Sequence, residues 1–122
     1  MIELLPDMPA GVTGIRVSGR LSRDDFRTLK PEIDAALNAD EIRFVEVVAS
    51  EYEGFGPGGL AEDLKVGLGF VMRNHSAFKR FAFVTDKEWA LHMMHLMGWT
   101  VPGELKLFRL DELEQAKEWA AG

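Results

Sequence analysis

The chain has 122 residues, 47% of them hydrophobic and 28% charged, with no cysteine. That length fits one domain with a real core, and the balance excludes a disordered or collagen-like chain. The lack of cysteine excludes disulfides, thiolate metal sites and a cysteine nucleophile, and a formal net charge of −6 disfavours nucleic acid and anionic lipid headgroups as partners.

No run of apolar residues is long enough for a membrane-spanning helix, so stable membrane insertion is not expected. The opening MIELLPDMPAG has no basic segment before its apolar residues and an early Pro6, unlike a secretory signal. The expected location is the cytoplasm.

In chain order, Ile2 to Leu5 and Thr13 to Ser18 read as two strands of a hairpin joined by a Pro- and Gly-containing loop. Ser22 has the character of an N-cap, with Asp24 and Asp25 in the first helical turn. Phe26, Leu29, Ile33, Ala36 and Leu37 then recur at helical spacing, interrupted by Pro31, which predicts a kink. Ile42 to Ala49 is apolar on both alternating sets apart from Arg43 and Glu46, the pattern of a strand covered on both faces. Leu60 to His75 predicts a helix with Leu60, Leu64, Leu68 and Val71 on one side. Phe81 to Val84 reads as a second inner strand. Thr85 or Asp86 is expected to cap the next helix, since Thr85 and Glu88 have capping-box spacing. Gly98 ends that helix, Leu105 to Leu110 alternates like an outer strand, and Asp111 opens a last helix with Leu113, Ala116 and Trp119 inward.

Strands alternating with helices predict an α/β fold with a mainly parallel sheet of about five strands, an antiparallel N-terminal hairpin and about four helices. Residues 1–122 form one domain on this reading. Strands left apolar on a face without helices would favour a homodimer, unless Trp119 and the last helix cover them.

No catalytic constellation stands out. Gly54 to Gly59 lies between a strand and a helix, where phosphates bind in many α/β proteins, but it matches neither GxxxxGK[ST] nor GxGxxG, and Glu51, Glu53, Glu62 and Asp63 flank it. A mobile crossover is the preferred reading. Glu88, His92 and His95 share a helix face without the Glu-flanked His-x-x-x-His pattern, so a wet stripe is preferred to a metal site. Ser50 is not in a GxSxG elbow, and no sequence partner pairs with His75. No cofactor is expected.

The apolar features are stronger. Trp89 to Met97 is hydrophobic nearly all round, broken by His92 and His95, with Trp99 following. Such a helix is either deep core or a surface for an apolar partner, and methionine suits adaptable surfaces. Gly67 and Gly69 sit inside the preceding helix, where each costs about 1 kcal/mol relative to alanine. Close backbone approach or movement would account for them.

The run from Ala61 to Leu68, His75, Phe78 to Trp89, and Phe108 to Leu113 with Ala116 and Trp119 together resemble the SpoIIAA-like family. The resemblance spans essentially the whole chain. It implies a STAS-type βα superhelix, as in anti-sigma-factor antagonists and by comparison with lipid-carrying CRAL-TRIO domains, and a non-enzymatic role. Two roles follow from it. One is a protein-partner regulatory module; the antagonists' phosphorylatable serine would fall within Phe55 to Leu60, which holds no hydroxyl. The other, slightly favoured, is binding or carriage of a small apolar, lipid-like molecule in a cleft under mobile helices. Its expected contacts are Phe55, Leu60, Leu64, Leu68, Met72, Met93, Met97 and Trp99, with Lys65, Arg73 or His92 holding a carboxylate headgroup.

Overall fold

The structure is a computed structural model describing residues 1–63, 65, 76–97 and 103–122; of residues 91, 93, 94, 96 and 97 it describes the backbone. The opening hairpin is β1 (Ile2–Leu4) and β2 (Thr13–Val17), antiparallel with Ile2 opposite Val17. A short β3 (Arg20–Leu21) leads into α1 (Arg23–Thr28) and α2 (Lys30–Leu37). The Ser22 hydroxyl accepts from the Asp25 N–H while the Asp25 carboxylate accepts from the Ser22 N–H, closing the first turn.

Pro31 does more than kink the predicted helix. The run divides at Leu29, and Pro31 occupies the first turn of α2, where its missing N–H costs nothing. Among the described residues, five α-helical segments therefore stand where about four are expected.

β4 (Ile42–Val48), β6 (Phe78–Val84) and β7 (Glu104–Phe108) continue the main sheet in parallel, in the order β1-β2-β4-β6-β7. Between β4 and β6 lie β5 (Gly54–Phe55), paired with β3 in a small parallel ribbon, and the start of α3, helical at 59–63 and 65. α4 (Glu88–Met97) links β6 to β7, and a 3-10 turn at Leu110–Glu112 leads into α5 (Leu113–Ala121). β4 is central and β7 is an edge, as the sequence pattern predicts.

Helices cover both faces of the sheet. Phe26, Leu29, Ile33 and Leu37 from α1 and α2, and Ala90 from α4, pack with Ile15, Ile42, Phe44, Val48 and Phe83 on one face. Val45, Val47, Ala82, Val84 and Phe108 meet Ala116 and Ala120 of α5 on the other, with Leu113 and Trp119 at its margin. The side away from α1 and α2 is thus covered within the chain, and the homodimer argument from a bare face does not apply.

One local expectation is corrected. Thr85 Oγ1 accepts from the Lys87 N–H, two residues on rather than three, and the Asp86 carboxylate accepts from the Leu110 N–H; both are spent outside a capping box. The glycine-rich crossover makes backbone hydrogen bonds to β3 and the start of α1. Gly56 N–H donates to Leu21 O, Arg23 N–H to Pro57 O and Gly59 N–H to Gly56 O. A Cβ on Gly59 would collide with Leu21 O, so close approach accounts for that glycine.

Candidate functional site

The face of β4 under α1, α2 and α4 carries Ile42, Phe44, Glu46 and Val48, because alternate residues of a strand point the same way. Glu46 lies between Ile15 of β2 and Phe83 of β6 in the ladder. It is the acidic residue of an otherwise apolar row. Arg43, the other polar residue of the strand apart from Glu46, faces α5 and donates to Ala120 O at 2.9 Å, satisfying a helix C-terminal carbonyl.

A row of rings crosses the same face. Phe81 lies 5.5 Å from Phe44 and 6.4 Å from Phe83 by ring centroid. Phe83 meets Trp89 of α4 edge-on at 6.3 Å, Trp89 meets Tyr52 at 6.3 Å, and Tyr52 meets Phe55 of β5 edge-on at 6.4 Å. These separations suit aromatic pairing. The row begins in the core and reaches solvent, where Trp89 is 41% exposed. Tyr52 is positioned by a turn in which its N–H donates to Ala49 O.

The electrostatics of this face are one-sided. Glu46 is not wholly covered as a residue, but burial of its carboxyl first, and the negative charge of Asp63 second, push its pKa up to about 8. Burial likewise raises Asp63, at the start of α3. Tyr52 is raised by burial and then by the charges of Asp63 and Glu46, so the three groups sense one another. Among the described residues, no cation forms an ion pair with Glu46 or Asp63.

Of the residues singled out from sequence, Phe55 is half-buried in the aromatic row and Leu60 is 53% exposed near it in the chain. Lys65 and His92 are exposed. Met93 and Met97 lie in α4, with side chains outside the description; Leu64, Leu68, Met72, Arg73, Trp99, Gly67, Gly69 and His75 lie outside the described residues. Glu88, His92 and His95 are all exposed, and no group of three potential ligands for a metal ion occurs among the described residues. Ser50 lends its carbonyl to Lys87 Nζ at 2.8 Å.

Sequence reasoning passed over Glu46, Tyr52 and Asp63 as a group. The available signal was a carboxylate inside an otherwise apolar strand. What no spacing rule supplied was that Tyr52, six residues on, and Asp63, on the next helix, come to the same face.

The sheet order, the antiparallel first pair and the helices on both faces define a SpoIIAA-like fold. The SpoIIAA-like family model matches residues 12–121, and the chain belongs to that family. The crystal structure of an uncharacterized DUF3478-family protein with a SpoIIAA-like fold, from Shewanella loihica PV-4, is similar over 98% of this chain and 93% of its own, at 22% identity and a TM-score of 0.73. No curated protein matches the chain. No helix among the described residues is long and apolar enough to cross a membrane.

Proposed function

We propose that this protein is a non-catalytic binding domain that holds a small apolar ligand against the aromatic row of Phe55, Tyr52, Trp89 and Phe83. The observation that supports the reading best is the course of that row, from the sheet core to a half-exposed Trp89. Ligand sites are mostly apolar with few polar groups, and this face has that composition. Leu60, Leu64, Leu68, Met72, Met93, Met97 and Trp99 remain, from the sequence alone, the proposed wall. Lys65, Arg73 and His92 remain the sequence-based candidates for an anionic headgroup, although the carboxyls of Glu46 and Asp63 oppose one at the row itself. A cytoplasmic location is part of the proposal.

The test is native mass spectrometry of the purified protein with organic extraction of any adduct. A reproducible adduct of lipid-like size supports the reading. A bare species that also refuses added eight-carbon amphiphiles of every charge type rejects it.

A second reading is a protein-partner module, as the family resemblance implies. Leu60 and Trp89 are large hydrophobic side chains left substantially exposed, and exposed apolar area is what a partner would cover. The absence of a hydroxyl from Phe55 to Leu60 makes that module one without the antagonists' phosphoserine. Retention of a purified partner by wild type and its loss in Leu60→Asp would favour this reading.

A further inference from the structure

We infer that the aromatic face of Glu46 and Asp63 takes an organic ammonium ligand, its hydrocarbon lying along Tyr52, Phe83 and Trp89. The inference rests on the apolar-ligand reading above and adds the sign of the ligand's polar end. Three observations carry it.

The first is charge. Asp63 lies near enough for its charge to act on Glu46, and among the described residues the nearby cations are used elsewhere. Arg43 and Arg80 are on the opposite face, donating to carbonyls of α5, and Arg16 pairs with Glu51 at 3.0 Å. Lys65 is turned to solvent. α2 adds another acid on this side of the sheet, Glu32, one of whose carboxyl oxygens is buried without a partner among the described residues. An anionic headgroup would add negative charge to this side, whereas an ammonium would neutralise it.

The second is the surface beside the carboxyls. Glu46 is next to Phe83 in the ladder, and Phe83, Trp89 and Tyr52 follow at centroid spacings of 6.3 Å. Aromatic faces attract ammonium groups, tryptophan most strongly. A carboxyl with rings around it can therefore favour a cation that carries an apolar body.

The third is the cost of leaving Glu46 as it is. An ionised carboxylate held from water without a partner is costly. Without ligand the cost is avoided by protonation, consistent with the pKa of about 8. Ammonium binding would restore the charged form, so binding near neutral pH releases a proton and tightens as pH rises toward 8. Among the described residues, the groups facing Glu46 are Asp63 from α3 and Tyr52 from the turn after β4. Ile15 and Phe83, its ladder neighbours, carry no charge, and Glu88, His92 and His95 of α4 are turned to solvent.

The test uses three eight-carbon probes below their micellar concentrations, namely octyltrimethylammonium, octanoate and octyl glucoside. Each is titrated calorimetrically into wild type, Glu46→Gln and Asp63→Asn, with folding checked by circular dichroism. The ammonium should bind wild type about tenfold or more tighter than octanoate, and Glu46→Gln should lose most of that preference while keeping its affinity for octyl glucoside. In wild type at neutral pH, the heat of ammonium binding should vary with the buffer's ionisation enthalpy, reporting proton release. This wild-type readout holds even if a variant fails to fold. Equal binding of all three probes overturns the ammonium inference and leaves the apolar-ligand reading standing. Tighter binding of octanoate also overturns it. No binding of any probe overturns both.

Discussion

Glu46 of β4 stands opposite Phe83 of β6 in the parallel ladder, so a carboxyl and an aromatic ring share the sheet face that leads out to Trp89. This pairing gives the fold a pH signature. The raised pKa of Glu46 means the folded state holds a proton that the unfolded chain gives up at lower pH. Its contribution to stability is full below the ordinary glutamate range, falls as pH rises, and levels off above about 8. Asp63, also raised, acts in the same direction. Glu46→Gln should therefore gain on wild type between pH 5 and 8, by on the order of 2 kcal/mol. Urea unfolding across that range checks it, and parallel curves for the two proteins would contradict it.

Trp89 joins the inner and outer parts of the aromatic row. Trp89→Ala removes its contacts with Phe83 and Tyr52. Because the ring is already half-exposed, the stability loss should be modest, about 1–2 kcal/mol. Apolar-probe affinity should fall more visibly. Thermal denaturation with probe titration on the same sample separates the effects; a variant that unfolds easily but binds normally would place the ligand elsewhere.

Gly59 and Gly19 should respond to alanine for different reasons. A Cβ on Gly59 collides with the Leu21 carbonyl, which β3 and β5 hold in place. Gly59→Ala should cost about 2–4 kcal/mol. Gly19 has open space around it and a φ of +57°, so Gly19→Ala pays backbone strain alone, about 1 kcal/mol. Denaturant midpoints of the two variants test the order.

Arg80 anchors α5. Its guanidinium donates to Trp119 O at 2.6 Å, pairs with Glu104 at 2.8 Å and lies 5.0 Å from the centre of the Trp119 ring. Arg80→Ala should cost about 1–3 kcal/mol and increase hydrogen exchange in α5. Glu104→Gln should cost under about 0.5 kcal/mol, because that carboxylate is mostly in water. Equal effects would mean that the ion pair, rather than the helix-end hydrogen bond, holds α5.

Much of the architecture was legible from local chemistry. The Ser22 cap, the disturbance of the helical run around Pro31, though not its division into two helices, the central position of β4 and the inward Ala116 follow from side-chain shape, backbone donors and apolar period, all properties of neighbouring residues. The β3–β5 ribbon was not legible, because two residues at each strand carry no period and the pairing joins Arg20 to Gly54 across a helix pair and a strand. The Thr85 hydroxyl takes the Lys87 N–H, and Asp86 takes the N–H of Leu110, a residue far along the chain that no capping rule supplies.

The candidate site divides the same way. The sequence by itself determined that β4 would be covered on both faces and would carry one arginine and one glutamate among apolar residues. Only the tertiary structure decided that Arg43 meets the carbonyl end of α5 while Glu46 meets aromatic rings and a second carboxyl. The reason is physical. Alternation assigns residues to opposite faces of a strand, but which helix covers each face, and with what charge, depends on segments far along the chain.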